Sequence, residues 1–124
     1  MNGGGAEARL LGKWGERLVA EDLRRRGYKI LETNYRCRLG EIDLIAEGNG
    51  FLVFVEVKLR KNDRFGQAKE AVTAAKQQRL RATAELYLAE HLTKLQPRFD
   101  VAEVYAGQGI NTENPRISYV ENAF

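Results

Sequence analysis

Cysteine occurs once in this chain and histidine once, as Cys37 and His91. One thiol allows no internal disulfide and no cysteine-built zinc site. Cys37 reads as an ordinary thiol near the end of a strand, which fits a reducing cytoplasm. His91 falls late in a helical stretch and reads as a surface or helix-terminal residue, not a ligand. No apolar run approaches the ~20 residues of a membrane span, so no membrane partner is expected. Residues 1–7 have no basic region followed by an apolar core, so they read as a flexible leader and not a secretory signal. Neither repeats nor a linker interrupt the rest. What remains is 124 residues, 44% hydrophobic, enough for one compact domain over 1–124 and too short for two ordinary ones.

The net charge of +3 is mild, but its distribution is uneven. Residues 58–81 hold eight basic side chains against two acidic ones, an excess of +6. A polyanion passing this segment is the functional reading; a solvated loop and helix face is the plain alternative.

Just upstream the pattern reverses. Phe51-Leu52-Val53-Phe54-Val55-Glu56-Val57-Lys58 is an apolar strand ending in acid-x-lysine, and Gly40-Glu41-Ile42-Asp43-Leu44-Ile45 carries a further acid in an equally apolar setting. Charge inside such strands is costly unless it is paired or coordinates metal. Asn49-Gly50 between them is the strongest short-range hairpin signal, because a type I′ turn needs positive φ at both central residues. With those two as the loop, partner numbers sum to 99, which sets Asp43 opposite Glu56 and Glu41 opposite Lys58. Opposed residues share a face with Cβ atoms ~5 Å apart. The other face reads Ile42, Leu44, Ala46, Val53, Val55 and Val57, while Ile45, Leu52 and Phe54 fill the turn end of the acidic face. A structural ion pair between Lys58 and one carboxylate is the plain reading. Three carboxylates against one lysine leave excess negative charge, which raises a pKa or recruits a cation, and this favours a metal or catalytic site.

Elsewhere the spacing predicts a helix over 8–26 with the stripe Leu11, Trp14, Gly15, Leu18, Val19, Leu23, closed by Gly27. Strands are expected over 28–35, 40–47 and 51–59, a polar loop over 61–66, and a turn or short helical piece over 67–72. Thr73 reads as the N-cap of a helix to about Leu92, its stripe Leu80, Ala84, Leu88, Leu92 leading back to Lys76 and Gln77. Strands over 98–105 and 117–120 follow, separated by a polar loop. The order α-β-β-β-α-β-β argues for an α/β domain with a mixed sheet flanked by helices. Glu16 borders the first helix's stripe beside Gly12 and Gly15; on spacing alone it is a surface glutamate. Gly12-x-x-Gly15 is too weak for a phosphate loop, since no strand precedes it and no Gly-Lys-Ser/Thr follows.

Gly12-Lys13-Trp14-Gly15-Glu16-x-x-Val19-Ala20, Asn34-Tyr35-Arg36-Cys37-Arg38-x-Gly40-Glu41-Ile42-Asp43-Leu44-Ile45 and Val53-Phe54-Val55-Glu56-Val57-Lys58 together resemble the YraN-like family of small bacterial proteins, as do the stretch from Ala71-Val72-Thr73 to Leu80 and Arg98-Phe99-Asp100-Val101. That family is similar to archaeal Holliday-junction resolvases within the PD-(D/E)xK superfamily, which implies a restriction-endonuclease-like core. The resemblance makes Asp43 the first acid, Glu56 the second, Lys58 the lysine and Glu16 the first-helix acid, so Glu16 moves from surface residue to site residue. Gln77 matches a polar helix position near the site. Ile42 departs from the pattern, standing where the superfamily motif has proline.

The expected activity is a Mg²⁺- or Mn²⁺-dependent endonuclease acting on DNA, ahead of RNA, with branched DNA in view. Asp43, Glu56 and the Val57 carbonyl would bind the ion, with Glu16 directly or through water. Lys58 would orient water or stabilise charge on phosphate. Arg60, Lys61, Arg64, Lys76 and Arg79 would hold flanking phosphates. Analogy with resolvases allows a homodimer. Two other readings stand beside this one: a non-catalytic nucleic-acid-binding module on the same fold, and a protein-interaction domain whose basic segment meets an acidic partner.

Overall fold

The computed structural model describes residues 3–61 and 72–124, with side chains from residue 5 onward. The expected Arg64 contact, the 61–66 loop beyond Lys61 and the 67–72 piece before Val72 lie outside the described residues. The elements are α1 (Gly3–Arg25), β1 (Lys29–Cys37), β2 (Gly40–Gly48), β3 (Phe51–Arg60), α2 (Ala74–Glu90), β4 (Gln96–Tyr105), a 3-10 helix (Gly109–Asn111) and β5 (Arg116–Val120). This is the α-β-β-β-α-β-β order that the periodicity predicts. The five strands form one mixed sheet in sequence order, with β3 and β4 parallel and every other neighbouring pair antiparallel. Parallel pairing demands a crossover, and α2 lies within it.

Two apolar layers cover the sheet. Val19, Ala20 and Leu23 of α1 pack on Leu44, Ala46, Val53, Val55, Ala102 and Val104. Leu80, Ala84 and Tyr87 of α2 pack on Ile42, Ile45, Leu52, Phe54 and Val101. The two helices therefore cover opposite faces. At Gly15 α1 lies close against β3: a Cβ there would stand 2.9 Å from a Leu59 methyl. The close approach explains this glycine as packing, whereas Gly12 meets nothing within 4 Å.

Three details depart from expectation. Helix α1 begins at Gly3, not at residue 8, so most of the expected leader is helical; Ala6, Glu7 and Ala8 are adequate helix formers, and Leu10 and Leu11 share a groove with Ile110 of the 3-10 helix. Leu92 is 93% exposed, because α2 ends at Glu90 before the stripe reaches it. Ile42 joins the α2 layer, not the layer of Leu44 and Ala46, so side-chain alternation breaks at Asp43. Other local signals hold. Asn49 and Gly50 have φ of 54° and 84°, the Thr73 hydroxyl accepts from the Lys76 amide at 3.2 Å, and His91 is the C-cap of α2, stacked on Tyr87.

The turn between β1 and β2 presses on α2. A Cβ on Gly40 (φ 155°) would stand 2.9 Å from the hydroxyl of fully buried Thr83, which itself donates to the Arg79 carbonyl at 2.8 Å. Gly40→Ala is therefore expected to destabilise the fold by about 1–3 kcal/mol, measurable by urea denaturation. Thr83→Ala in the same chain should recover part of the loss.

Candidate metal and nucleic-acid site

The β2–β3 ladder runs from Gly48↔Phe51 to Leu44↔Val55, in the register that partner numbers summing to 99 require, and stops there. The next pair, Asp43 with Glu56, does not form. The Asp43 carboxylate instead accepts the Val57 amide at 2.8 Å, taking the place of a backbone partner, and the strands part. Across the other ladder, Asn34 interrupts pairing between Thr33↔Leu44 and Tyr35↔Ile42 and has φ of 54°, a conformation in which Asn is enriched. Asp43 thus sits at a gap in the sheet that side chains from both faces can approach.

From the α2 side, Lys58 reaches the Glu56 carboxylate at 3.3 Å, and Lys76, from the first turn of α2, makes a second and closer ion pair with the same oxygen. Glu56 is buried, 6% exposed. Glu41 does not meet Lys58 as the hairpin arithmetic requires: with the strands parted it turns to Arg36, at 2.9 Å. From the α1 side, Glu16 accepts from the Asn34 side-chain amide at 3.1 Å. A groove of about 170 Å³ lined by Gly40, Glu41, Asp43, Glu56, Lys76, Arg79 and Leu80 opens above the pair.

The remaining expected site residues are scattered. Gln77 donates to the Val72 carbonyl at 2.9 Å, so it braces the entry to α2 and is not brought to the carboxylates. Arg60 is held by Glu103 at 2.9 Å, while Lys61 is exposed at the end of β3. Two contributors were not legible as such. Asn34 orients Glu16, and its one sequence signal is an asparagine in a strand. Lys76 is a partner of Glu56 itself; the stripe placed it on the inner side of α2 but not against this carboxylate.

Residues 15–104 match the family described as "Uncharacterised protein family UPF0102". The chain belongs to this family. Among its relatives is a UPF0102 protein of Symbiobacterium thermophilum, 49% identical over 118 residues that cover 94% of this chain and 98% of the relative. One from Alkaliphilus metalliredigens is 44% identical over 118 residues, covering 94% and 99%. One from Syntrophotalea carbinolica is 50% identical over 95 residues, covering 76% and 77%. Membership in UPF0102 establishes kinship; the chemistry has to be argued from the site.

In this UPF0102 member the site's charges are tightly balanced. Burial, the charge of Glu56 and, further off, that of Glu16 push the Asp43 carboxyl up to about 8, against the opposing pull of the Val57 amide. Burial and the neighbouring Lys76 lower Lys58 despite Glu56. For Lys76 burial also works downward, but its hydrogen bond to Glu56 outweighs that and the pKa is raised. Glu41 lines the groove but is paired with Arg36, and Lys76 is added, so the carboxylate excess read from the sequence is smaller. Among the described residues Asp43 has no ion-pair partner, and a carboxyl pushed up to about 8 marks a position that a hard cation would relieve. Among the described residues no three acidic, His or Cys side chains converge tightly enough to enclose an ion. Asp43 and Glu56 are the two carboxylates of the groove that could share an ion keeping several waters, as Mg²⁺ does.

Asp43→Asn tests this balance without any substrate. The folded-state pKa lies above the unfolded value, so the wild type loses this contribution as pH rises from about 4 to about 8. Asparagine has no such proton, and its carbonyl can still accept the Val57 amide. The variant's stability relative to wild type should therefore grow over that window, reaching about 2 kcal/mol at pH 8, less than the full shift implies because water reaches the groove. Denaturation curves at pH 5 and pH 8 without divalent metal measure it.

Proposed function

We propose that this chain is an endonuclease that hydrolyses phosphodiesters in DNA, branched DNA included, with Mg²⁺ or Mn²⁺. The observation that carries the reading is half-buried Asp43 and buried Glu56 lining one groove where β2 and β3 part, with Lys58 on the same strand as Glu56. The similarity of these motifs to the archaeal resolvases of the PD-(D/E)xK superfamily supports it. Asp43, Glu56 and the Val57 carbonyl would hold the ion. When bound, the ion lowers the pKa of an attacking water and offsets charge on the phosphate. Lys58 donates to the phosphate oxygen on which charge develops. Lys76, paired with Glu56 in this structure, would supply a second donor to the phosphate. Glu16, held by Asn34, orients water on the α1 side. Arg79 and Lys61 contact flanking phosphates, which positions the strand without reading its sequence. The same reading places the protein in the cytoplasm and, by analogy with resolvases, as a homodimer.

One observation favours a second reading, a nucleic-acid-binding module without catalysis: Glu56 already carries two ammonium partners and can stand as a structural ion network. The test is incubation with four-way junction, flap, single-stranded and duplex DNA and structured RNA, in Mg²⁺ and in Mn²⁺, with Asp43→Ala as control. Metal-dependent cleavage absent from the control supports the endonuclease. Salt-sensitive binding without cleavage of any substrate supports the second reading, and undiminished cleavage by Asp43→Ala removes the site from the chemistry.

A further inference from the structure

A second groove, about 280 Å³, lies between α1 and β1 and begins at Glu16 and Asn34, the α1-side edge of the candidate site. Its α1 rim carries Lys13, Arg17 and Arg24, all exposed. At 3.6 residues per turn these three fall within one narrow sector of the helix, over about 16 Å of its length. Among the described residues none of the three is in an ion pair. Four other arginines are engaged: Arg25 and Arg26 with Asp22, Arg36 with Glu41, Arg60 with Glu103. The opposite wall is strand β1 with the polar side chains of Thr33 and Asn34, and buried Ala20 and Leu44 complete the lining. An unpaired cationic row facing a polar wall, continuous with a phosphodiester site, fits a phosphate backbone better than it fits a peptide or an apolar ligand.

We infer that this groove binds the sugar–phosphate backbone of a nucleic-acid strand on the far side of the candidate site from Arg79. The inference rests on the nucleic-acid reading proposed above and deepens it. Because α1 and α2 cover opposite faces of the sheet, a strand held by both passes the Asp43 gap, where β2 and β3 part. The site is then entered from both sides and takes a continuous strand instead of requiring a free end. At ~3.4 Å per nucleotide the row spans about five nucleotides.

The test is binding of a fluorescein-labelled single strand in EDTA, read by anisotropy across a salt series. It compares wild type, Arg17→Gln/Arg24→Gln, and a charge-matched control, Arg25→Gln/Arg81→Gln. Arg25 is paired with Asp22, and Arg81 lies over the Phe99 and Phe124 rings. The expected result is a loss of about tenfold or more in the groove variant at low salt, with the log–log salt slope reduced by about 0.7 for each lost contact, and a smaller change in the control. Equal effects in the two variants would overturn the inference, as would a wild type that binds anionic phosphatidylserine vesicles but no nucleic acid. The assay needs no cleavage, so the groove can fail in an active nuclease and the nuclease can fail with the groove intact.

Discussion

Glu56→Gln is expected to leave the chain folded and able to bind DNA while lowering metal-dependent cleavage on the order of 10³-fold. Glutamine keeps the volume and one carbonyl oxygen but removes the charge that meets Lys58 and Lys76. Without it, two ammonium groups face each other at the groove, and a bound ion loses one of its two carboxylates. Both lysines are partly in water, at 24% and 34% side-chain exposure, so the stability loss should be about 1 kcal/mol and not that of a fully buried pair. Adding Lys76→Gln separates the two consequences: stability returns and cleavage does not. If cleavage by Glu56→Gln stays within about twofold of wild type, Glu56 has no part in the chemistry.

The largest stability effect is expected at the opposite end of the sheet. Asp100 is 4% exposed in β4 and accepts from Arg98 Nε and Nη2, each at 2.9 Å, and from the Asn122 amide at 3.0 Å. Arg98 is only 10% exposed in its side chain, donating to the Tyr28 hydroxyl at 3.2 Å and lying over the Phe51 ring. Asp100→Ala strands this guanidinium, whose nearest remaining carboxylate is Glu121 at 3.9 Å, and frees the C-terminal segment. The cost should be about 3–5 kcal/mol, lowering the melting temperature by roughly 10–20 °C in a domain of this size. Asp100→Ala/Arg98→Met removes the stranded charge and should recover about half. A double variant no more stable than the single one would mean that the Asn122 anchor, not the charge, carries the effect.

Local signals made most of the fold legible. Asn49-Gly50 set the hairpin register, Gly27 and Thr73 bounded the helices, and the apolar stripes assigned α1 and α2 to a sheet. The exception within the hairpin is informative. Counting pairs assumes that backbone bonds continue the ladder, but Asp43 binds the Val57 amide with its side chain and ends it. From that one substitution of partner follow the shift of Ile42 to the other layer and the departure of Glu41 to Arg36. Lys76 met Glu56 only through the docking of α2, a tertiary event that spacing along one helix does not encode. Asn34 needed both its left-handed backbone and Glu16 across from it. Asp43 and Glu56 do line one groove, while the cations around them were harder to place because long side chains choose partners after the backbone is set.

Calorimetric titration of the metal-free protein with Mn²⁺, at pH 6.5 and at pH 8.5, tests the central claim most directly. A cation site at Asp43 and Glu56 predicts one Mn²⁺ per chain, bound more tightly at the higher pH because the ion must displace the proton that Asp43 keeps to about pH 8. Asp43→Asn should abolish that binding while remaining folded. Absence of Mn²⁺ binding at both pH values, or binding of equal strength in Asp43→Asn, would contradict the account.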